Sequence, residues 1–153
     1  MIGLIMAGGR GTRMDSNEEK LVAKFNTHKP EFINLLGGSV ESVSITPPSC
    51  IYNFIVGNEY CHSTDIVQGG FVSAMLDAAM SHAAYASEKE IIGISTIEMS
   101  THYIAPTRAG KVIASGRVRS ESYRIAFLEG ELHDFSGKLT ATSKSTVKIT
   151  RKR

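Results

Sequence analysis

A pair of glycines and a single acid seven residues later are the residues whose types and spacing best suit chemistry. Gly69 and Gly70 follow Gln68, and Asp77 stands in a run that is otherwise almost entirely apolar. Consecutive glycines bring bare backbone amides close to a ligand, and a helix that begins there directs its unpaired N–H groups at an electron-rich atom. An unpaired carboxylate in apolar surroundings is costly. Amides that polarise a carbonyl, and an acid that acts on it, predict hydrolysis at an acyl group.

The spacing of the polar residues predicts a site shared between two copies of the chain. Ser73, Asp77 and Ser81 are four residues apart, so they form one polar stripe on the predicted helix. Asp77 lies about 10 Å from Gly70 along the helix axis, at about 1.5 Å per residue. One carbonyl cannot contact both groups on a single helix, whereas two antiparallel helices bring the Asp77 of one beside the Gly70 of the other.

The elements that must position these residues are predicted from hydrophobic periodicity and turn residues. An amphipathic helix is expected over residues 17–36, interrupted near Pro30 and ended by glycines, with two strands (40–45 and 50–56) after it. A loop over residues 58–67 leads to a long apolar helix from residue 69 to about 87. Four strands follow over residues 92–104, 111–120, 123–133 and 138–149, and the last three form a meander. The predicted class is α+β, an antiparallel sheet wrapped around one long helix.

These elements and motifs resemble the hotdog-fold acyl-CoA thioesterases of the phenylacetate-degradation and mammalian thioesterase-superfamily type. The shared motifs are Gln-Gly-Gly at residues 68–70, the acid seven residues after the second glycine, and a strand with Thr96 and Glu98 followed by Tyr103, Pro106 and Gly110. The resemblance spans about residues 20–150. It implies the hotdog fold, hydrolysis of an acyl-CoA to free acid and coenzyme A, and assembly as a homodimer or a homotetramer built as a dimer of dimers.

The resemblance also implies roles for individual residues. Asp77 would be the general base, or the nucleophile of an anhydride mechanism, and the amide of Gly70 or its neighbourhood would polarise the thioester carbonyl. Gln68 would hold the thioester or the loop, and Thr96 would orient the attacking water. Substrate-binding residues are expected to be Gly69, Ser73, Ser81 and Lys144, the last from a basic, acid-free C-terminal segment that could attract the phosphates of coenzyme A.

His62 is the position at which this chain departs from the family pattern. The family has an asparagine six residues before the His or Gln of its motif, and the glycine that usually follows is Asp65 here. Imidazole can donate a hydrogen bond as an amide does, but it changes charge near neutral pH. Two interpretations stay open, a catalytic residue with an altered pH profile and a solvated loop residue.

Residues 1–14 are expected to be a leader outside the single thioesterase domain of residues 15–153. The glycine-rich stretch over residues 4–14 resembles the opening loop of sugar-nucleotide and molybdopterin-type nucleotidyltransferases. Residues 15–20 instead resemble the start of a new helix. A leader or gene-start artefact with Met14 as the natural start is the favoured interpretation, and a nucleotide loop or a natural extension is the alternative.

Composition excludes several function classes. Apart from two arginines in residues 1–14, the chain has 15 basic and 15 acidic residues, which predicts no nucleic-acid partner. No apolar run is long enough for a membrane span and no signal peptide is visible, so a cytoplasmic protein without a membrane partner is expected. Cys50 and Cys61 are expected to be free thiols. No metal or cofactor is expected, because coenzyme A is part of the substrate. The alternatives are a non-catalytic acyl-CoA-binding or regulatory module, which would not need Asp77, a hydratase or dehydratase, whose His and acid signature is not found, and a nucleotidyltransferase, which rests on the leader alone.

Overall fold

The computed structural model describes residues 13–87 and 90–153, so residues 1–12 of the predicted leader lie outside the described part. The helices are α1 (Ser16–Thr27), α2 (Glu31–Leu35) and α3 (Gly69–Tyr85), and a short 3₁₀ helix spans Asn58–Tyr60. The strands are β1 (Gly38–Ile45), β2 (Pro48–Val56), β3 (Ile91–Tyr103), β4 (Gly110–Glu121), β5 (Ile125–Asp134) and β6 (Leu139–Arg151). Each predicted strand is present, with ends that differ by a few residues.

The first helical region is interrupted near Pro30, as predicted, and consists of two separate helices. Asp15 caps α1 through a reciprocal pair of hydrogen bonds with Glu18, whose N–H donates to the Asp15 carboxylate at 2.8 Å. This arrangement satisfies amides that a helix start leaves unpaired and confirms the predicted helix start at residues 15–20. Pro30 caps the separate helix α2, since a proline is accepted at a helix start but breaks a helix interior.

The six strands form one antiparallel sheet in the order β1-β2-β4-β5-β6-β3. The meander of β4, β5 and β6 is confirmed. β3 pairs with β6 over residues 91–103, so it occupies the edge of the sheet rather than a place beside β4. α3 packs on one face of the sheet, mainly against β2, β4 and β5. The predicted α+β architecture, a sheet wrapped around one long helix, is confirmed.

Two paired glycines explain how closely α3 lies on the sheet. Gly116 of β4 pairs with Gly130 of β5. A β-carbon at residue 116 would collide with the backbone of Ala79, and one at residue 130 would lie 2.9 Å from Cγ of Met80. The two glycines therefore form a seat for α3, in which Gly116 makes room for the helix backbone and Gly130 for the Met80 side chain. The buried residues of α3 are Val72, Met75, Leu76, Ala78, Ala79, Met80, Ala83 and Ala84.

Candidate active site

The start of α3 is built by Gln68, which precedes the first helical residue. The N–H of Gln68 donates to the carbonyl of Tyr60 at 2.9 Å and anchors the turn to the preceding 3₁₀ helix. Its side-chain Oε1 accepts the N–H of Gly70 at 2.5 Å. The Gln-Gly-Gly motif thus opens a helix, as the sequence predicts. The amide expected to polarise a substrate carbonyl is bonded to the Gln68 side chain.

Asp77 and Thr96 are brought together although they lie on different elements. Thr96 is an exposed residue of β3, and its hydroxyl donates to Oδ1 of the half-buried Asp77 at 3.0 Å. A hydrogen bond of this kind fixes the orientation of the carboxylate. Asp77 therefore has a fixed partner on the edge strand β3. Its carboxylate oxygens have further lone pairs, so they can accept additional hydrogen bonds.

The open side of α3 carries the predicted polar stripe. Gly70 is exposed, and Ser73, Asp77 and Ser81 are half-buried. The stripe lies opposite the residues that fill the core, so the helix shows two distinct faces. This contrast confirms the predicted stripe.

Ser73 and Gly69 share one partner, Tyr103 of β3. The Tyr103 hydroxyl donates to the carbonyl of Gly69 at 3.0 Å and lies 2.6 Å from Oγ of Ser73. A β-carbon at residue 69 would lie 3.2 Å from the Tyr103 ring, so the tyrosine packs directly on the glycine. In the sequence, Tyr103 was visible only as a member of the strand motif, and no role followed from it.

His62 lies in a loop that is fixed to the connection between β3 and β4. The loop is closed by the His62 amide, which donates to the carbonyl of Ile66 at 3.0 Å, and the exposed imidazole lies 2.8 Å from Oγ of Ser63. Asp65 forms an ion pair with Arg108 at 2.6 Å, and its carbonyl accepts the N–H of Ala109. Asp65 stands where the family has a glycine, and its side chain and carbonyl attach the loop here, although an exposed ion pair contributes little to stability.

Lys144 does not lie with the other predicted site residues within one chain. Its neighbour Ser143 contacts Thr101, which is within 3.4 Å of Ser73 on α3. Successive residues of a strand point to opposite faces, so the exposed Lys144 lies on the face away from α3. It lines a cavity of about 310 Å³ there, together with Ser100, His102, Glu129, Gly130, Glu131, Thr142 and Ser143.

The outer face also holds a buried acid that sequence reasoning missed. Glu129 is bonded to Arg117 at 2.6 Å and to Arg119 at 2.5 Å. Burial raises the pKa of Glu129, but the hydrogen bonds and charges of the two arginines outweigh it and leave the pKa lowered. The carboxylate is therefore held in its charged form as part of the sheet.

Further features bear on partners and redox chemistry. No helix in the described part of the chain is long and apolar enough to cross a membrane. Over residues 13–87 and 90–153, no group of three His, Cys, Asp or Glu side chains is arranged to hold a metal ion. Cys50 and Cys61 are free thiols, as predicted, and burial raises the pKa of the Cys50 thiol.

Solved structures of bacterial proteins resemble this chain. A phenylacetic acid degradation-related protein from Ralstonia eutropha JMP134 is 24% identical, with a TM-score of 0.75 over 80% of this chain and 92% of its own. The PaaI protein of the E. coli phenylacetic acid degradation operon is 15% identical, with a TM-score of 0.77 over 88% and 96%. A thioesterase from Haemophilus influenzae is 15% identical, with a TM-score of 0.72 over 92% and 93%. These likenesses show the fold, which is the predicted hotdog fold.

The family follows from the sequence match. A comparison with curated proteins found none that matches this chain. The family model described as the thioesterase superfamily matches residues 65–141, which include the start of α3, Asp77 and Thr96. This match covers half of the chain, and the protein therefore belongs to the thioesterase superfamily and is a thioester hydrolase.

Proposed function

We propose that the protein hydrolyses an acyl-CoA thioester to a free acid and coenzyme A, with Asp77 as the general base or nucleophile. The observation that carries the proposal is the contact of Asp77 with Thr96 at 3.0 Å. This contact fixes the Asp77 carboxylate on the open side of α3, the same helix whose start carries the glycine amides.

Asp77 can act in two ways, as a general base or as a nucleophile. As a general base, Asp77 accepts a proton from the water that attacks the carbonyl carbon, the C–S bond then breaks, and coenzyme A leaves as the thiol with that proton. As a nucleophile, the Asp77 carboxylate forms an anhydride with the acyl group and releases coenzyme A, and water then hydrolyses the anhydride. Thr96 holds the carboxylate in both versions.

The amide of Gly70 becomes available to the substrate through an exchange of acceptors. In the free protein this amide donates to Oε1 of Gln68. A thioester carbonyl oxygen presents similar acceptor geometry, so it can take the place of Oε1 once the Gln68 side chain turns away. The helix start then stabilises the negative charge that develops on the carbonyl oxygen, a contribution of about 10²- to 10³-fold for one such donor.

Self-association completes the site under this proposal. Gly70 and Asp77 lie about 10 Å apart along one helix, so the two groups that must act on one carbonyl come from two copies of the chain. β3 is an edge strand of 13 residues, and Ile92 and Ile97 on it are exposed. An open edge of this length pairs readily with another strand. The protein is therefore proposed to form a dimer through β3, alone or within a dimer of dimers.

An apolar surface beside Gly70 suits the acyl group. Phe71, in the first turn of α3, packs edge-to-face on Tyr60 with ring centroids 5.0 Å apart. Tyr60 in turn donates to the carbonyl of Leu35, and Phe32 and Leu35 expose apolar side chains on α2. Phe32, Tyr60 and Met75 are the residues expected from the sequence to line the pocket, and Met75 is fully buried in the core.

The first test is release of free thiol across a panel of aromatic, short, medium and long acyl-CoAs, measured for the wild type and for Asp77→Asn. A positioned base typically contributes about 10²-fold or more, so the variant should lose at least that factor in kcat while it keeps its fold and its affinity for acyl-CoA. Glu31→Gln, an exposed acid of α2, is the matched control and should retain full turnover. Near-wild-type turnover by Asp77→Asn would favour a binding module instead.

The same assay tests the shared site. Gly70→Val blocks the helix start, and Asp77→Asn removes the base. Each variant alone should be inactive, but each spoils a different half of a shared site. A mixture of the two should regain a fraction of wild-type activity after subunit exchange, because each heterodimer has one intact site. A mixture that stays inactive after exchange has been verified would contradict the shared geometry.

A further inference from the structure

We propose that Tyr103 is a positioning residue, whose hydroxyl holds the first turn of α3 against β3 and thereby keeps the amides of the helix start aimed at the thioester carbonyl. This inference rests on the proposed function. It concerns the start of the helix, which polarises the carbonyl, separately from the middle of the helix, which carries Asp77.

The hydrogen bonds at Tyr103 have a defined direction. Tyr103 has a single hydroxyl hydrogen, which it donates to the carbonyl of Gly69 at 3.0 Å. Ser73, at 2.6 Å, is therefore the donor to Tyr103. The two side chains act as one bridge from the first residue of α3, through the strand, to the next turn of the same helix.

Hydroxyl groups of the sheet lie beside this bridge. The Ser143 hydroxyl donates to the carbonyl of Ser100 at 3.0 Å, so Thr101 is the donor in its 3.2 Å contact with Ser143, a buried residue of β6. Ser73 has Thr101 as an alternative acceptor at 3.4 Å. Its single hydroxyl hydrogen serves one partner at a time, and the shorter contact, with Tyr103, is the one that joins α3 to β3.

β3 therefore holds α3 at two separate points. Thr96 contacts Asp77 near the middle of the helix, and Tyr103 contacts Gly69 at its start. Removal of the Tyr103 hydroxyl releases only the second point. The Tyr103 ring packs on Gly69, where a β-carbon would come within 3.2 Å of it, so a phenylalanine preserves the packing and removes only the hydrogen bonds.

The test compares Tyr103→Phe with Tyr123→Phe. Tyr123 is exposed in the turn before β5, with its ring against Arg151, so its variant should match the wild type. Tyr103→Phe should lower kcat about tenfold, the factor expected for loss of the one hydrogen bond that holds the Gly69 carbonyl, with KM changed less than about twofold. Ser73→Ala should behave similarly, Ser73→Thr should restore turnover because it keeps the hydroxyl, and the double variant should be no worse than either single variant.

Hydrogen exchange gives a second readout that does not depend on activity. Amide exchange over residues 69–72 should be about tenfold faster in Tyr103→Phe, while exchange around Asp77 should stay as in the wild type. Unchanged exchange and unchanged kcat would overturn the proposal, and a change in KM alone would make Tyr103 a substrate contact instead. Full turnover by Asp77→Asn together with a slower Tyr103→Phe would refute the proposed base and leave the positioning role standing.

Discussion

The two faces of α3 meet different demands. The face on the sheet is built from small and apolar residues, with the helix backbone against Gly116 and the Met80 side chain against Gly130. The opposite face carries Gly70, Asp77 and Ser81 in exposed or half-buried positions. Residues of the first face are restricted by packing, because there is no room for an added carbon atom, whereas residues of the second are restricted by the reaction that they carry out. Packing on the sheet fixes the position of the helix, and this in turn fixes the position of the reacting groups.

Substitution at the glycine seat should disturb the packing of α3 on the sheet and destabilise the protein. Gly116→Ala places a β-carbon against the backbone of Ala79, so α3 must shift away from the sheet. We expect the free energy of unfolding to fall by about 2 kcal/mol, as is typical of an overpacked core. Urea denaturation measures this change.

Gly93→Ala is the matched control. Its β-carbon would lie 3.6 Å from Thr150, an ordinary contact. The free energy of unfolding should then change by less than about 0.5 kcal/mol. Equal effects of the two alanines would contradict the idea that the seat, and not strand conformation in general, requires glycine.

His82, near the end of α3, is a titratable residue whose ring packs against the aromatic rings of the core. Its ring is 4.9 Å from that of Phe25 and 5.2 Å from that of Tyr52, and Nδ1 lies 2.8 Å from the carbonyl of Ala78. Burial lowers the pKa of His82, only partly opposed by the hydrogen bond to Ala78. The unfolded state therefore binds a proton more readily than the folded state.

The free energy of unfolding should fall as the pH drops below about 6.5, the ordinary pKa of histidine. One group contributes at most about 1.4 kcal/mol per pH unit. His82→Phe should reduce this slope in urea denaturation between about pH 5 and 7.5. It should not abolish it, since burial also lowers the pKa of His133. His28→Gln, an exposed position at the end of α1, should leave the slope unchanged, and an unchanged slope in His82→Phe would contradict the prediction.

The smallest effect is expected at His62. Asparagine, the residue that the resemblance places at this position, offers a hydrogen-bond donor as imidazole does. His62→Asn should therefore keep kcat/KM within a fewfold of the wild type in the thiol-release assay. A loss of more than about tenfold, equivalent to one lost hydrogen bond, would show that the imidazole itself is needed.

Local patterns allowed most of the fold to be predicted from the sequence. The capping residues Asp15 and Glu18, the glycines before α3 and the alternation of the strands act over a few residues, so they are visible without a structure. The position of β3 beyond β6 was not visible, because strand order depends on contacts between residues far apart in the chain. The interruption between α1 and α2 was visible, because Pro30 marks it.

The contacts of the site were predicted only in part. The resemblance indicated that Asp77 and Thr96 belong to one site, and the structure adds their hydrogen bond. The bond from Tyr103 to Gly69 and the arginine pair on Glu129 depend on register. Arg117 faces Glu129 only because the β4–β5 turn is centred near residue 123, whereas the predicted strands left residues 121–122 for this turn. A shift of one residue moves a side chain to the other face.

The bond between Gln68 and Gly70 has a consequence for how substrate affinity and turnover divide under the proposed mechanism. A bound thioester gains little from the Gly70 amide at first, because one carbonyl acceptor simply replaces another. The gain comes when the carbonyl oxygen acquires negative charge, since an oxyanion is a far better acceptor than the glutamine amide. The Gly70 amide therefore adds little to the affinity for the substrate. It stabilises the transition state more strongly, and this difference accelerates the reaction.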